Sequence, residues 1–325
     1  MSNSTGNAMV AIRGAVRFEL EKCSAGDKII VASSGGADSL ALSFAVAKEA
    51  SKLALQVIGV TVDHQLQEQS GIQAHKVIAQ LKNIGITDSE IVKVNVDITD
   101  GVEASARRAR YEALDLIAAK YGAVKIFLGH TRDDQAESVL LGLARGSGTR
   151  SLSGMATQNG MYVRPLLAIT REQTLQACTE EKLEPWSDPH NVDPQFKRVR
   201  VRLQTLPVLE ETIGPGISAS LARSAGLLRD DADALDEWAD KVFATLDPAS
   251  LDVDAIAQLP RAVRSRILRL AVYVAGAPLG SLTAEQVSVL EALVTSWSGQ
   301  GEVSLPGGVK VRRISGRLSL LQSNQ

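Results

Sequence analysis

Two cysteines are the whole thiol complement of these 325 residues. Cys23 and Cys178 stand far apart and no C-x-x-C pair occurs, which disfavours a zinc ribbon, an iron–sulfur cluster and a paired-thiol sulfur carrier. That usage fits a reducing cytoplasm. Aromatics make up only 4% of the chain, so no stacking platform for single-stranded RNA is evident. An excess of one charge is missing too: 35 Lys+Arg against 37 Asp+Glu leave a net −2, so any polyanion site has to come from local basic clusters. No apolar run approaches a membrane span. The opening MSNSTGNAMVAIR lacks the sustained apolar stretch of a signal peptide. The expectation is a cytoplasmic protein with no membrane partner. The Walker pattern G-x-x-x-x-G-K-[ST] is absent, and no G-x-G-x-x-G follows the first apolar run.

What is present is a core-forming chain. Hydrophobic residues reach 45%, and the length suits two or three domains at roughly 100–200 residues each. In the first half, short β-branched runs alternate with helical spacing: KIIVA (28–32), a helix from about Ser39 to Ala50, LQVIGVTV (55–62), a polar helix over Glu68–Lys82, IVKVNV (91–96), a helix over Val102–Tyr121, VKIFLG (124–129) and a helix over Asp133–Ala144. Buried runs joined by helices predict an α/β fold, a doubly wound parallel sheet with its ligand at the carboxyl ends of the strands. MYVRPLL is expected at a sheet edge, Thr170 as a helix N-cap, and the proline-rich 184–195 as a loop. GPG at Gly214–Gly216 marks a boundary. The plan is a catalytic domain over 1–213, a helical connector over 214–246 and a small α+β domain over 247–325, ending in two strands joined at Ser315-Gly316.

The stretch VASSGGADSLAL places glycines and hydroxyls directly after the first strand. Successive glycines turn backbone N–H groups inward as an anion nest, and the following helix adds its positive end. Ser33, Ser34, Gly35, Gly36, Ala37, Asp38 and Ser39 are the candidate phosphate cradle. Without a lysine, it suits pyrophosphate with a divalent ion better than γ-phosphoryl transfer, with Asp38 as the Mg²⁺ ligand. Asp134 and Glu137 are i, i+3 on one helix and can grip a cationic amine, although the same spacing suits a solvated acidic helix start. Arg107 and Arg110, also i, i+3, can clamp a phosphate or carboxylate, or simply form a basic face. His130 ends a strand at the expected cleft. Three basic clusters, 197–202, 261–269 and 310–317, are candidate RNA-backbone contacts.

S-G-G-x-D-S is also the signature of the pyrophosphatase-loop enzymes, which split ATP between the α- and β-phosphates. VDHQLQ (62–67), EASARRARY (103–111), LGHTRDDQAES (128–138), RGSGTRSLSGM (145–155), RPLL (164–167), W-x-D-P-x-N (186–191) and F-x-R (196–198) follow in the order found in tRNA(Ile)-lysidine synthetases, over roughly residues 28–210. The chain resembles that family. It departs at Gln65 and Gln67, where the family has glycine and arginine, at Thr131 and Ser138, and at Val199, where the family has asparagine. The resemblance implies ATP as co-substrate with Mg²⁺, a CAU-anticodon isoleucine tRNA and free L-lysine as partners, and ligation of lysine to C2 of the wobble cytidine through an adenylated intermediate. On that reading Asp38 and the 33–39 loop serve ATP, Asp134, Glu137, Arg107 and Arg110 place lysine and cytidine, and His130 contacts ATP or substrate. The sequence allows a homodimer. Two rival readings are a sulfur-inserting tRNA synthase using the same adenylation and a non-catalytic nucleotide-binding regulatory module.

Overall fold

The computed structural model describes residues 7–65, 70–97, 101–146 and 148–322; the expectations attached to Gln67 and Glu68 fall outside them. The chain forms two compact units, Met1–Leu228 and Arg229–Gln325. The division falls within the helix Ile217–Phe243.

The first unit runs α1 (Ala8–Leu20), β1 (Lys28–Ala32), α2 (Ala37–Ala50), β2 (Gln56–Asp63), α3 (Ser70–Asn83), β3 (Asp88–Lys93), α4 (Val102–Tyr121), β4 (Lys125–Phe127), α5 (Arg132–Ala144), α6 (Thr149–Leu152), β5 (Gln158–Asn159), β6 (Tyr162–Val163) and α7 (Arg171–Glu180). It continues with α8 (Lys197–Arg200), five residues wound as a π-helix (Val201–Thr205), α9 (Leu206–Thr212) and the start of α10 (Ile217–Phe243). The six strands lie in the order β3-β2-β1-β4-β6-β5, all parallel except the final β5–β6 hairpin. This is the doubly wound fold that the alternating runs imply. Alternate residues of the central strands feed two cores. Ile29, Val31 and Phe127 pack among α1, α2 and α7, while Ile30 and Ile126 pack with Leu114 and Ile117 of α4. Because β2 and β4 lie on opposite sides of β1, the loops leaving β1 and β4 diverge and open a crevice at the switch point.

Two strands differ from expectation. β3 starts three residues early, since pairing to β2 sets its register at Val60↔Glu90. As an edge strand it tolerates polar residues there, and Glu90 is held by Lys120 and the Tyr121 hydroxyl. The segment expected at the edge supplies β6, which pairs with β4 and is itself flanked by β5.

α1 anchors the sheet's α2 face through Met9, Ile12, Val16 and Leu20. Arg13 and Arg17 from α1 and Lys52 converge on Glu49 of α2 at 2.6, 2.8 and 3.0 Å. Burial alone would raise this carboxyl, but the hydrogen bonds from Arg17, Arg13 and Lys52 outweigh it and lower the pKa from 4.5 to about 2. A depressed folded-state pKa gives stability that is complete above the unfolded value and lost as pH falls through the folded one. Thermal unfolding of the wild type should therefore weaken between about pH 4.5 and 2 more steeply than that of Glu49→Gln, which lacks the titrating group. Parallel pH profiles would show that the cluster contributes nothing.

In the second unit, β7 (Ser250–Asp252), α11 (Val253–Ala257), α12 (Arg261–Val274), α13 (Ala284–Thr295), β8 (Val303–Ser304), β9 (Val309–Ile314) and β10 (Arg317–Gln322) form a four-stranded antiparallel sheet, β7-β10-β9-β8, packed on helices. Ser315 and Gly316 both take positive φ, as the two-residue hairpin turn requires. One expected surface cation is corrected here. Arg264 shares a helix face with Ile267, Leu268 and Ala271, so it is buried and ion-paired to Glu291 at 2.7 Å.

Candidate active site

The cradle is built by β1 delivering the chain into α2. Ser39 organises the turn: its hydroxyl accepts the Ser34 N–H at 3.1 Å and donates to the Gly36 carbonyl at 3.0 Å. Gly36 is the N-cap of α2 and has no side chain to close the helix end, so first-turn N–H groups stay available to an anion. Gly35 takes φ +81°, and a Cβ there would stand 2.6 Å from Val77. Its carbonyl accepts the Trp186 N–H at 2.8 Å, which fastens the proline-rich loop to the cradle. Gly129 lets the end of β4 lie against α2, since a Cβ would sit 3.0 Å from the Ser39 backbone.

A cleft of about 630 Å³ opens over this corner. Its walls include Ser33, Ser34, Gly36, Ala37, Asp38 and Ser39 together with Arg110, His130, Asp134, Arg171, Arg198 and Arg202. Asp134 caps its own helix, accepting from the Thr131 N–H at 2.8 Å and hydroxyl at 3.0 Å. Its other oxygen takes Arg171 at 3.1 Å. Arg171 also lies 3.5 Å from both Asp38 and Glu137. Glu137 is fully buried and receives Arg202 at 2.7 Å and Arg198 at 3.2 Å as well. Arg198 is held further by the Ser138 hydroxyl at 2.8 Å.

Charge is finely divided across the cleft. Burial raises the Asp38 carboxyl above its usual range despite the Thr174 hydroxyl and Arg171. At Asp134 burial acts upward too, but Arg171, His130 and the Thr131 N–H hold the carboxyl below its ordinary value. Burial, reinforced by Arg110, Arg164 and Arg198, lowers His130 far enough to leave its imidazole neutral at neutral pH; the Asp134 charge opposes but does not prevent this. His64 is lowered by burial and Arg110. No group of three or more His, Cys, Asp or Glu side chains suited to a metal occurs among the described residues. Asp38 offers a single carboxylate at the cradle, the kind of donor that an ion completed by phosphate oxygens and water takes.

Of the candidates from sequence, the cradle residues apart from Gly35, with Arg110, His130 and Asp134, face this cleft. Arg107 is exposed, lies over the Tyr111 ring and lines a smaller adjoining hollow. Glu137 stands behind the arginines. Sequence reading missed Arg171 and treated Arg198 and Arg202 as RNA-facing surface. Their signal was available as excess cations close to an invaginated acidic pair, but the topology that joins them was not. Gln65 takes φ +55° where the resemblance places glycine, with its N–H on Asp63 Oδ1 at 3.0 Å.

Residues 13–209 match the PP-loop domain family and residues 251–319 the TilS substrate binding domain. The tRNA(Ile)-lysidine synthase of Thermobifida fusca is 52% identical over 309 residues, 94% of this chain and 95% of that protein. The chain belongs to the tRNA(Ile)-lysidine synthase family. Other lysidine synthases agree: that of Streptomyces coelicolor is 50% identical over 90% of this chain and 85% of that protein, and that of Salinispora arenicola 46% over 96% of each. Among solved structures, the U34-tRNA thiolase NcsA of Methanococcus maripaludis with its [4Fe-4S] cluster has the same fold, with a TM-score of 0.58, 19% identity and coverage of 68% of this chain and 79% of that one. Membership of the PP-loop family implies that the chain uses ATP.

Proposed function

We propose that this chain joins L-lysine to C2 of the wobble cytidine of a CAU-anticodon isoleucine tRNA, consuming ATP and releasing AMP and pyrophosphate. The observation that carries the reading is the crevice itself, where a lysine-free phosphate cradle faces Asp134 and four arginines at the switch point. In the first step cytidine O2 attacks the α-phosphorus and pyrophosphate departs with the bonding pair. In the second, the bound ε-ammonium first gives up a proton to solvent or a base; the neutral amine attacks C2, AMP leaves with the C2–O bond pair, and a second proton is lost from the new C–N nitrogen. The cradle N–H groups hold the β- and γ-phosphates. Asp38 would hold Mg²⁺, which would supply charge neutralisation at the phosphates. Asp134 orients the lysine ammonium in place of Arg171. Glu137, already surrounded by guanidiniums, is a positioning residue for Arg198 and Arg202 and does not grip the amine itself.

The sulfur-inserting alternative lacks thiols in the right state. Both cysteines are free, and Cys178 is buried, with its pKa pushed up to about 11 by burial and the nearby Asp38. The test is AMP release from ATP by the purified protein. Turnover should require both the CAU transcript and lysine together. ATP breakdown indifferent to both would overturn the assignment.

A further inference from the structure

Beside the main cleft lies a second hollow of about 220 Å³, lined by His64, Glu103, Arg107, Arg110 and Arg198. It is too small for a nucleoside triphosphate and large enough for a pyrimidine ring. His64, Arg110 and Arg198 belong to both cavities, so a ring seated in the hollow has one edge beside the main cleft. The buried Nε of Arg110 and Nδ1 of His64 have no hydrogen-bond partner among the described residues. Buried polar atoms left open at a cavity wall suit a ligand that completes them.

We propose that this hollow receives the base of the target cytidine and that Glu103 reads its exocyclic amine. The inference rests on the lysidine-synthase reading and adds a specificity residue to it. Cytosine presents an amino donor at N4 and acceptors at N3 and O2. The hollow offers one carboxylate, Glu103, among donors from Arg107, Arg110 and Arg198. That complement fits cytosine in one orientation: N4–H₂ on Glu103, with N3 and O2 toward the guanidiniums and O2 nearest the shared wall. Uracil reverses two of the three groups. Its O4 would oppose the Glu103 carboxylate and its N3–H would oppose a guanidinium donor. Glu103 is available for this task. It sits exposed in the first turn of α4 and makes no ion pair among the described residues, although Arg107 is one turn away. Arg107 is itself pre-positioned over the Tyr111 ring, with its Nη2 donating to the Tyr111 hydroxyl at 3.3 Å.

The test uses full-length protein with two transcripts that differ only in cytidine or uridine at the wobble position. Adenylation is measured without lysine, and lysine incorporation in parallel. Glu103→Gln should lower the preference for cytidine over uridine by about ten- to a hundredfold, the value of one base-edge hydrogen-bond pair. Glu103→Ala should lower it similarly, and the affinity for ATP should stay at the wild-type level. A ratio of two substrates on one protein is insensitive to partial unfolding. An unchanged ratio, with wild-type protein active, overturns the proposal. An unchanged ratio with a raised lysine KM on both transcripts also overturns it and assigns the hollow to the amino-acid head group instead. A wild type that transfers no lysine to the CAU transcript overturns the family reading, and this inference with it.

Discussion

Glu137→Ala is expected to lower the stability of the first unit by about 3 kcal/mol, because removing one member of a buried ionic cluster leaves the others uncompensated. The carboxylate is 0% exposed, and the Arg171, Arg198 and Arg202 side chains around it are 25%, 23% and 23% exposed. That partial solvent access keeps the loss at the low end of the range for buried pairs. In a unit of this size the melting temperature should fall by roughly 6–12 °C. Glu137→Gln preserves shape and one acceptor and should lose less. It should still depress turnover, since Arg198 and Arg202 lose the charge that holds them, while ATP affinity stays because the 33–39 loop has its own bonds through Ser39. A direct grip on the substrate amine predicts a different outcome: a raised lysine KM with unchanged melting. Melting curves and lysine kinetics on both variants separate the two.

Asp38→Asn should reduce adenylation by about 10²–10³-fold, the usual effect of deleting one preorganised electrostatic group at a reacting centre. The fold should survive, since asparagine still offers Oδ1 to the Thr174 hydroxyl and α2 is anchored by its buried face. What disappears is the negative charge between Arg171 and the cradle. The residual activity should demand more Mg²⁺ than the wild type does. Rates measured across a Mg²⁺ series with circular dichroism as a fold control test this, and a wild-type rate at limiting Mg²⁺ would remove Asp38 from metal binding.

Much of the fold was legible because local pattern and tertiary structure agree. β1 and α4 occupy the residues that apolar spacing indicates, and Thr170 caps α7 with a reciprocal bond to Gln173. α1 was readable as well, through Asn7 as a cap and apolar residues at 9, 12, 16 and 20, but the polar residues ahead of it drew attention instead. The cradle was visible because it is contiguous. The arginine cluster was not, because Glu137, Arg171, Arg198 and Arg202 come from three separate segments, joined only by the packing of α5, α7 and the continuous α8 and π-helical stretch. Asp134 carried two signals at once. Thr131-x-x-Asp134 is a capping-box spacing, and the structure uses the carboxylate as a cap and as an arginine ligand together. Within the basic clusters the cations differ in how far they are already engaged. Arg264, Arg266, Arg313 and Arg317 spend their guanidiniums on Glu291, on Asp236, on helix-end carbonyls and on Asp252 and Ser250, whereas Arg261 and Arg312 stay exposed and are the better candidates for phosphate.

On the proposed function, the cleft makes a carbon–nitrogen bond between lysine and a cytidine. Incubation of the full-length protein with ATP, radiolabelled lysine and a CAU-anticodon isoleucine tRNA transcript, followed by nucleoside digestion and mass analysis, tests it directly. One labelled nucleoside is expected, cytidine enlarged by lysine with loss of water, at the wobble position. A folded protein that leaves that cytidine unmodified, or returns it carrying sulfur, would overturn lysidine formation as the function of this cleft.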